Sequence, residues 1–229
     1  VNISNAQCAS LQLGGSAATS SAGTLTFATT GSPALDVSGN IQLGSTGSTA
    51  RIGTITFVSG STITASSVIL GATGAGRGVL TMSANSLINT DSFLVNSTAT
   101  QSTWTPSTGT VQLTASNTLP PTIFTTFNNL VISSGTTTFS SSKTISGTLT
   151  INSGAVANLS TLTHTAGALN LGGAGTSGDS WGSTTSAAAN QNNTYFSATT
   201  GIVNVNSASC TMPTQQTIRG GGTTCKSAT

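Results

Sequence analysis

Charge is what this chain lacks most. Its 229 residues include no Glu, and five basic and three acidic residues make up 3% of the sequence. A typical soluble domain carries about a quarter charged residues. The net charge of +2 provides no basic patch of the kind that nucleic-acid binding needs. No run approaches the ~20 apolar residues of a membrane-spanning helix. Little electrostatic repulsion would oppose self-association, which favours assembly.

Groups for catalysis and metal binding are equally scarce. Asp36, Asp91 and Asp179 lie far apart in the sequence, and His164 is the single histidine. A metal site or an acid–base pair needs several such groups together. We therefore expect a protein that is not an enzyme and that holds no metal and no cofactor. Asp36 and His164 both alternate with other residues on predicted strands, and we predict that both side chains point outward.

Three cysteines stand in a chain otherwise poor in this residue. In an oxidising compartment two of them would pair, and their proximity favours a disulfide between Cys210 and Cys225. Cys8 would then be either a small buried side chain in the first repeat or a link to another subunit. The chain begins with Val1, so we expect that a signal peptide has been removed and that the protein is secreted, extracellular or on the cell surface; trimming of the sequence is the alternative.

A sequence motif of three parts recurs between Leu11 and about Val95. Each part alternates apolar and polar residues, as a half-buried strand does. The first part occurs at 11–14, 41–44, 68–71 and 93–96, the second at 23–27, 53–57, 78–82 and 109–113, and the third at 34–37, 62–65 and 86–89. The period of the first part thus shortens from thirty to the mid-twenties. A period in the twenties with three short strands is typical of coils that stack on one another.

The pattern predicts an all-β chain, a β-solenoid (parallel β-helix) with three short strands per coil, irregular loops and modified ends. We predict a cap or joining arm at residues 1–10, the solenoid at 11–206 and a tail at 207–229 that a disulfide would staple. The Pro-containing stretch 96–121 and the Gly- and Ser-rich stretch 172–193 are predicted as loop insertions. Six side chains should point into the core: Leu25, Phe27, Ile55, Phe57, Leu80 and Met82.

Several phrases of the sequence carry a resemblance to a known group of proteins. They are SGNIQLG, IGTITFVSGSTITASSVILG, STWTPSTGTVQLTASNTLPPTIFTTFNNLVISSGTTTF, ISGTLTINSGA and the pair SWGS and TYFSATTGIVNV. Between about residues 11 and 205 the chain resembles the repetitive β-helical, adhesin-like extracellular proteins of the Bacteroidota. This resemblance implies an architecture and a cell-surface address, and it brings no catalytic residues with it.

Self-assembly is the function that these observations favour. We expect a structural subunit whose copies form a filament, sheath or matrix by strand addition and coil stacking. The candidate assembly residues are Val1, Ile3, Cys8, Ile69 and Leu94. Ile69 and Leu94 should lie next to one another on the outside, as an apolar patch that a loop or another subunit covers.

Two other functions stay open. An adhesin or carbohydrate-binding module would bind surface glycans on an exposed aromatic side chain such as Trp104, Trp181 or Tyr195. An ice-binding solenoid would use ladders of Thr-X-Thr triplets. We expect that ladder to be broken in the second part of the repeat, where 79–81 and 110–112 depart from the motif.

Overall fold

The alternating pattern folds into an all-β structure. A computed structural model describes residue 1 and residues 5–15, 21–46, 51–72, 76–96 and 101–206. This described part contains strands and turns and no helix. Thr, Val and Ile are frequent in the strands because branched side chains suit a pleated surface, and Gly, Ser and Asn are frequent in the turns.

Most strands are short, as the predicted three-part repeat requires. In chain order they are β1 (Ala6–Cys8), β2 (Leu11–Leu13), β3 (Gly23–Thr26), β4 (Ala34–Leu43), β5 (Ile52–Thr56), β6 (Thr62–Leu70), β7 (Arg77–Thr81), β8 (Leu87–Val95), β9 (Thr103–Thr105), β10 (Thr110–Leu113), β11 (Asn117–Leu119), β12 (Thr126–Phe127), β13 (Asn129–Ile132), β14 (Thr136–Phe139), β15 (Thr144–Ile151), β16 (Val156–Asn158), β17 (Thr163–Leu171), β18 (Ala174–Gly175), β19 (Asp179–Gly182), β20 (Asn190–Gln191) and β21 (Ile202–Val205).

The strands form three sheets. Sheet A has the order β1-β4-β6-β8-β10-β13-β15-β17-β21-β19-β20, with β2, β12 and β18 pairing beside this path. Sheet B has the order β3-β5-β7-β9, and sheet C the order β11-β14-β16. Neighbouring strands are parallel, apart from the antiparallel pairs β17–β18 and β19–β21 within the described ranges. From β1 to β17, neighbours on the sheet A path are separated in sequence by a strand of sheet B or C, so the chain leaves sheet A and returns to it in each of these repeats.

A column of seven apolar side chains runs through sheet A. Hydrogen-bonded register aligns Leu35, Ile63, Ile88, Val111, Leu130, Leu149 and Leu169. All seven are buried. The inward alternation of the strands is therefore kept from one repeat to the next.

The repeat itself becomes shorter along the chain. Hydrogen-bonded partners in neighbouring strands are separated in sequence by 28 positions at Ser38 and Ser66, and by 19 positions at Thr110 and Asn129. We call the repeats before β10 the wide repeats and those from β10 onward the narrow repeats. The narrow repeats are about a third shorter, although their strands stay in the same sheet.

The register differs from the predicted one in the third part of the repeat. The sequence pattern places Leu87 opposite Ile63, but Ile88 occupies that position and Leu87 pairs with Thr62. A slip of one residue reverses which side chains face the core. Leu87 is half-buried while Ile88 is buried, in agreement with the observed register.

Residues 96–121 differ more. In place of a loop insertion, the described part of this range carries β9, β10 and β11. β10 pairs with the Leu87–Thr90 segment of sheet A, so it belongs to the third part of the repeat. The sequence pattern assigns it to the second part. β9 supplies the second part by pairing with β7. Pro106 and Pro120 lie just outside strands, where proline breaks no ladder.

The core is continuous along the repeats. Of the six side chains predicted to point inward, five are buried and Leu25 is partly buried against the same core. An aromatic cluster of Phe93, Trp104, Phe124 and Phe127 lies where the wide repeats give way to the narrow ones, with ring centroids between 4.4 and 6.0 Å apart. The Trp104 indole N–H donates to the Thr126 carbonyl at 2.7 Å. These rings fill the space that the narrowing backbone leaves.

Close backbone packing at one corner requires glycine. Gly44 follows β4 with φ of +87°, a conformation that side chains rarely adopt. A Cβ added to Gly53 would lie 2.5 Å from the Gly44 amide nitrogen and 2.5 Å from the Leu13 carbonyl oxygen. The Gly residues that recur in the sequence pattern thus mark places where neighbouring backbones touch.

The two ends of the strand stack differ. Among the described residues, β1, β2 and β3 have a strand partner on one side only. At the other end the excursion 172–201 folds back: β18 pairs with β17, β19 pairs with β21, and Phe196 bridges to Ala157. The last full repeat is therefore covered by short strands of the chain itself.

Candidate functional site

Sheet B exposes a regular array of threonine. Alternation turns every second residue outward, and the parallel register aligns these residues between strands. One column consists of Thr26, Thr56, Thr81 and Thr105, and the other of Thr24, Thr54, Val79 and Thr103. We call these eight residues the threonine array. Five are exposed; Thr54, Val79 and Thr81 are half-buried.

The array is more regular than the sequence suggests. Of the two predicted breaks in the ladder, the one at Thr110–Leu113 is absent, because that strand lies in sheet A and not in this sheet. The strand that completes sheet B is β9, with the triplet Thr103-Trp104-Thr105, so one column is unbroken and the other is interrupted only at Val79.

The inward side of sheet B is tightly packed. Leu25, Ile55, Leu80 and Trp104 form the column between the two outward ones. Just beyond the strands the Phe27 and Phe57 rings stack with centroids 5.3 Å apart. Packed interiors of this kind hold backbone positions closely, so the outward hydroxyls have a fixed spacing.

A second surface is the open edge of β1, β2 and β3. The Gly44 N–H donates to the Leu13 carbonyl at 2.8 Å, so the polar backbone groups of Leu13 face β4. Because these groups alternate along a strand, the N–H and carbonyl of Gln12 face the open side. Val1 covers one end of the edge: its ammonium group donates to the Thr26 carbonyl at 2.5 Å, and its carbonyl accepts from the Ala28 N–H at 2.7 Å.

Cys8 lies beside this edge. It is a free, half-buried cysteine on β1, aligned with Val37. A shallow groove of about 350 Å³ runs past it and is lined by Gln7, Cys8, Ala9, Asp36 and Ser38. Ile3, Cys210 and Cys225 lie outside the described residues.

Ile69 and Leu94 are adjacent, as predicted. They are register partners in neighbouring strands of sheet A. Ile69 is half-buried, and Leu94 is 45% exposed. The patch is therefore only partly covered by the described part of the chain.

The prediction for His164 is wrong, because its imidazole is buried with 1% exposure. Nδ1 accepts from the Lys143 main-chain N–H at 3.1 Å, and Nε2 lies 3.2 Å from the Leu159 carbonyl oxygen. This pairing fits a neutral ring that carries its proton on Nε2. Burial, aided by the charge of Lys143, lowers the pKa of His164, and the contact with Leu159 opposes this.

Lys143 is the more unusual buried group. Its side chain is 1% exposed, and its Nζ donates to the Pro120 carbonyl at 2.5 Å and to Ser141 Oγ at 2.9 Å. Both partners are neutral. Burial lowers the pKa of Lys143 from 10.5 to about 8. The ammonium group ties the Leu119-Pro120 turn to the start of β15.

The remaining candidate residues are dispersed. Asp36, Asp91 and Asp179 are exposed, and the Asp91 carboxylate accepts from the Thr114 hydroxyl at 2.7 Å. Within the described ranges no three His, Cys, Asp or Glu side chains come together as a metal site. Nor do those ranges contain a helix that is long and apolar enough to span a membrane.

The predicted aromatic platform is also dispersed. Trp104, one of its three candidates, lies in the core. Trp181 and Tyr195 are half-buried, and the Trp181 indole N–H donates to the Ser177 carbonyl at 3.2 Å.

The chain was also compared with known proteins. No family model, curated protein or solved structure matches it.

Proposed function

We propose that the chain is a β-solenoid with three strands per coil. The register supports this architecture, because the three parts of the repeat stack separately on their own copies in successive repeats. In the first coils these parts are the two halves of each long sheet A strand and one strand of sheet B. In the later coils sheet C and the short strand β12 take two of these places.

The solenoid acts, in this proposal, as a non-catalytic structural subunit outside the cell that associates with copies of itself. One observation carries the proposal: three adjacent strands, β1, β2 and β3, present backbone groups on a side where the described chain supplies almost no partner. Strand edges of this kind are templates for another chain. With 3% charged residues, the surface offers little repulsion against a second copy. The extracellular address rests on the resemblance given above.

The covered end determines how copies would meet. Growth from the last coil would require β18, β19 and the Phe196 bridge to leave their places. In this proposal the copies associate at the first coil, where two of them pair edge to edge around a two-fold axis. A filament needs a second contact to continue beyond the pair, and the partly exposed Ile69–Leu94 patch supplies an apolar surface for it.

The edge contact can be tested at Gln12. Gln12→Pro removes an N–H that faces the open side and leaves the β2–β4 hydrogen bonds in place. Gln12→Thr is the matched control, because it changes the side chain and keeps the N–H. We expect sedimentation and electron microscopy to show extended assemblies for the wild type and for Gln12→Thr, and no extended assemblies for Gln12→Pro.

The patch has its own test. Leu94→Ser should stop the assembly at pairs, since the edge contact stays intact while the side contact loses its apolar centre. A wild type that remains monomeric at high concentration, or a Gln12→Pro variant that assembles like the wild type, would overturn the proposal.

A further inference from the structure

We propose that the threonine array of sheet B is an ice-binding face. Its ligand is ordered water in the crystalline state. This inference stands apart from self-association, because the array uses the outward side chains of sheet B, whereas the edge contact uses backbone groups; β3 contributes to both.

The geometry of the array suits a lattice. Along a column, hydroxyl groups recur at the strand spacing of about 4.8 Å, and across the columns they recur at two residue rises, about 6.7 Å. Both spacings are close to repeats of water molecules on the prism faces of hexagonal ice. Each threonine offers a hydroxyl to hydrogen-bond the lattice and a methyl group to occupy the space between its molecules. The buried column beneath keeps the side chains in register.

A charged side chain would weaken ice binding by such a face, because it organises its own hydration shell. All eight positions of the array are uncharged. Seven of the eight are threonine, and the eighth, Val79, has nearly the same shape without the hydroxyl.

Threonine fills the array more completely than it fills one outward column of sheet A. Threonine is favoured on any outward strand position, so it should be equally common on the other sheets. The outward column beside the buried column of sheet A provides the comparison: it contains two threonines in eight positions, Gln7, Asp36, Thr64, Asn89, Gln112, Val131, Thr150 and Asn170. The array is therefore richer in threonine than this column, and threonine also recurs at the aligned positions Thr126, Thr144 and Thr165 of the later repeats.

The array also has a definite extent. It spans the four strands of sheet B and ends at β9; β12, the next strand but two, pairs with β15 in sheet A. Four strands with two outward positions each give a small but two-dimensional surface. Its separate contacts act together, so that binding to a lattice gains by multivalency.

The test uses Thr56→Tyr in the full chain. Thr56 is exposed at the centre of the array, and tyrosine keeps a high strand propensity while its ring disrupts the spacing. Thr118→Tyr, at the exposed position of β11 in sheet C, is the matched control. Thermal unfolding of both variants confirms that the fold is kept. The readouts are inhibition of ice recrystallisation and binding of the labelled protein to a growing ice crystal.

We expect the wild type and Thr118→Tyr to inhibit recrystallisation equally, and Thr56→Tyr to need roughly ten-fold more protein because the contacts act jointly. Val79→Thr, which completes the array, should be at least as active as the wild type. The Gln12→Pro variant, which loses the edge contact, should keep its activity, so this inference and the proposed assembly can fail separately.

Three outcomes would overturn the inference. The first is a wild type without effect on ice. The second is an equal loss in Thr118→Tyr and Thr56→Tyr, or no loss in Thr56→Tyr. The third is binding to a polysaccharide that Thr56→Tyr abolishes while ice growth is unaffected, which would identify the face as a glycan site.

Discussion

Buried Lys143 should make the protein more stable in alkaline solution. Below about pH 8 the amine is charged in both the folded and the unfolded chain, and the folded state bears the cost of burying that charge. Between about pH 8 and 10.5 only the unfolded chain still binds the proton. The free energy of unfolding therefore rises with pH across this window and levels off above it.

The size of the effect follows from the two pKa values. Their difference of about 2.5 corresponds to an upper limit of about 3.4 kcal/mol. Water and the two hydrogen bonds of Nζ screen part of the burial cost, so we expect about 1–2 kcal/mol. Urea unfolding of the wild type at about pH 7 and about pH 10.5 measures this rise directly.

Lys143→Met is the decisive comparison. Methionine fills a similar volume without a charge, so its stability should not rise in this window, and at neutral pH it should be close to that of the wild type or above it. Lys143→Ala should be destabilised at every pH, since it leaves a cavity. If the wild type and Lys143→Met respond to pH in the same way, the ammonium group is not desolvated and the reasoning fails.

Four further variants test the packing. The free energy of unfolding should fall as the pH drops below about 6.5, because the histidine of the unfolded chain then binds a proton that the buried ring does not bind. Urea unfolding should show this loss in the wild type and not in His164→Gln. Gly53→Ala should cost about 3 kcal/mol by overpacking, against about 1 kcal/mol for Gly154→Ala, where the space is open. Trp104→Phe should cost about 1–3 kcal/mol in thermal unfolding, through lost volume and a lost hydrogen bond.

Much of the fold could be predicted where the repeat is regular. The first-part motifs at Leu11, Ile41, Val68 and Phe93 are aligned by register as the sequence indicates. The third part is ambiguous by one residue, because Leu87 and Ile88 are both apolar and either could fill the inward position. Only the partner strand selects between them, and a partner strand is a non-local feature.

Prediction fails where the repeat shortens. A period taken from the wide repeats cannot anticipate the shorter step between Thr110 and Asn129, and it places Thr110–Leu113 in the wrong sheet. The prolines near Trp104 suggest a loop, although they lie in the turns between strands. The missed signal is the triplet Thr103-Trp104-Thr105, which has the same alternation as Thr24-Leu25-Thr26, with a larger apolar residue in the centre.

The position of His164 could have been found from alternation alone. It lies two residues before Ala166, which is buried, so both side chains of this strand segment face the same way. Thr163 and Thr165 occupy the opposite face. A polar residue on the inward face should be buried and hydrogen-bonded, and the contacts with Lys143 and Leu159 meet that need.

The narrowing of the repeat also explains why the threonine array is confined to the first repeats. A regular outward face needs strands of several residues, and each such strand needs inward side chains that fill the space behind it. The wide repeats provide both, with Leu25, Ile55 and Leu80 beneath the array. Sheet B ends at β9, the described strands that follow belong to sheets A and C, and the cluster around Trp104 lies where the wide repeats end. A function that requires a two-dimensional lattice therefore belongs to the wide repeats. The narrow repeats lie next to the end of the strand stack that β18 and β19 cover.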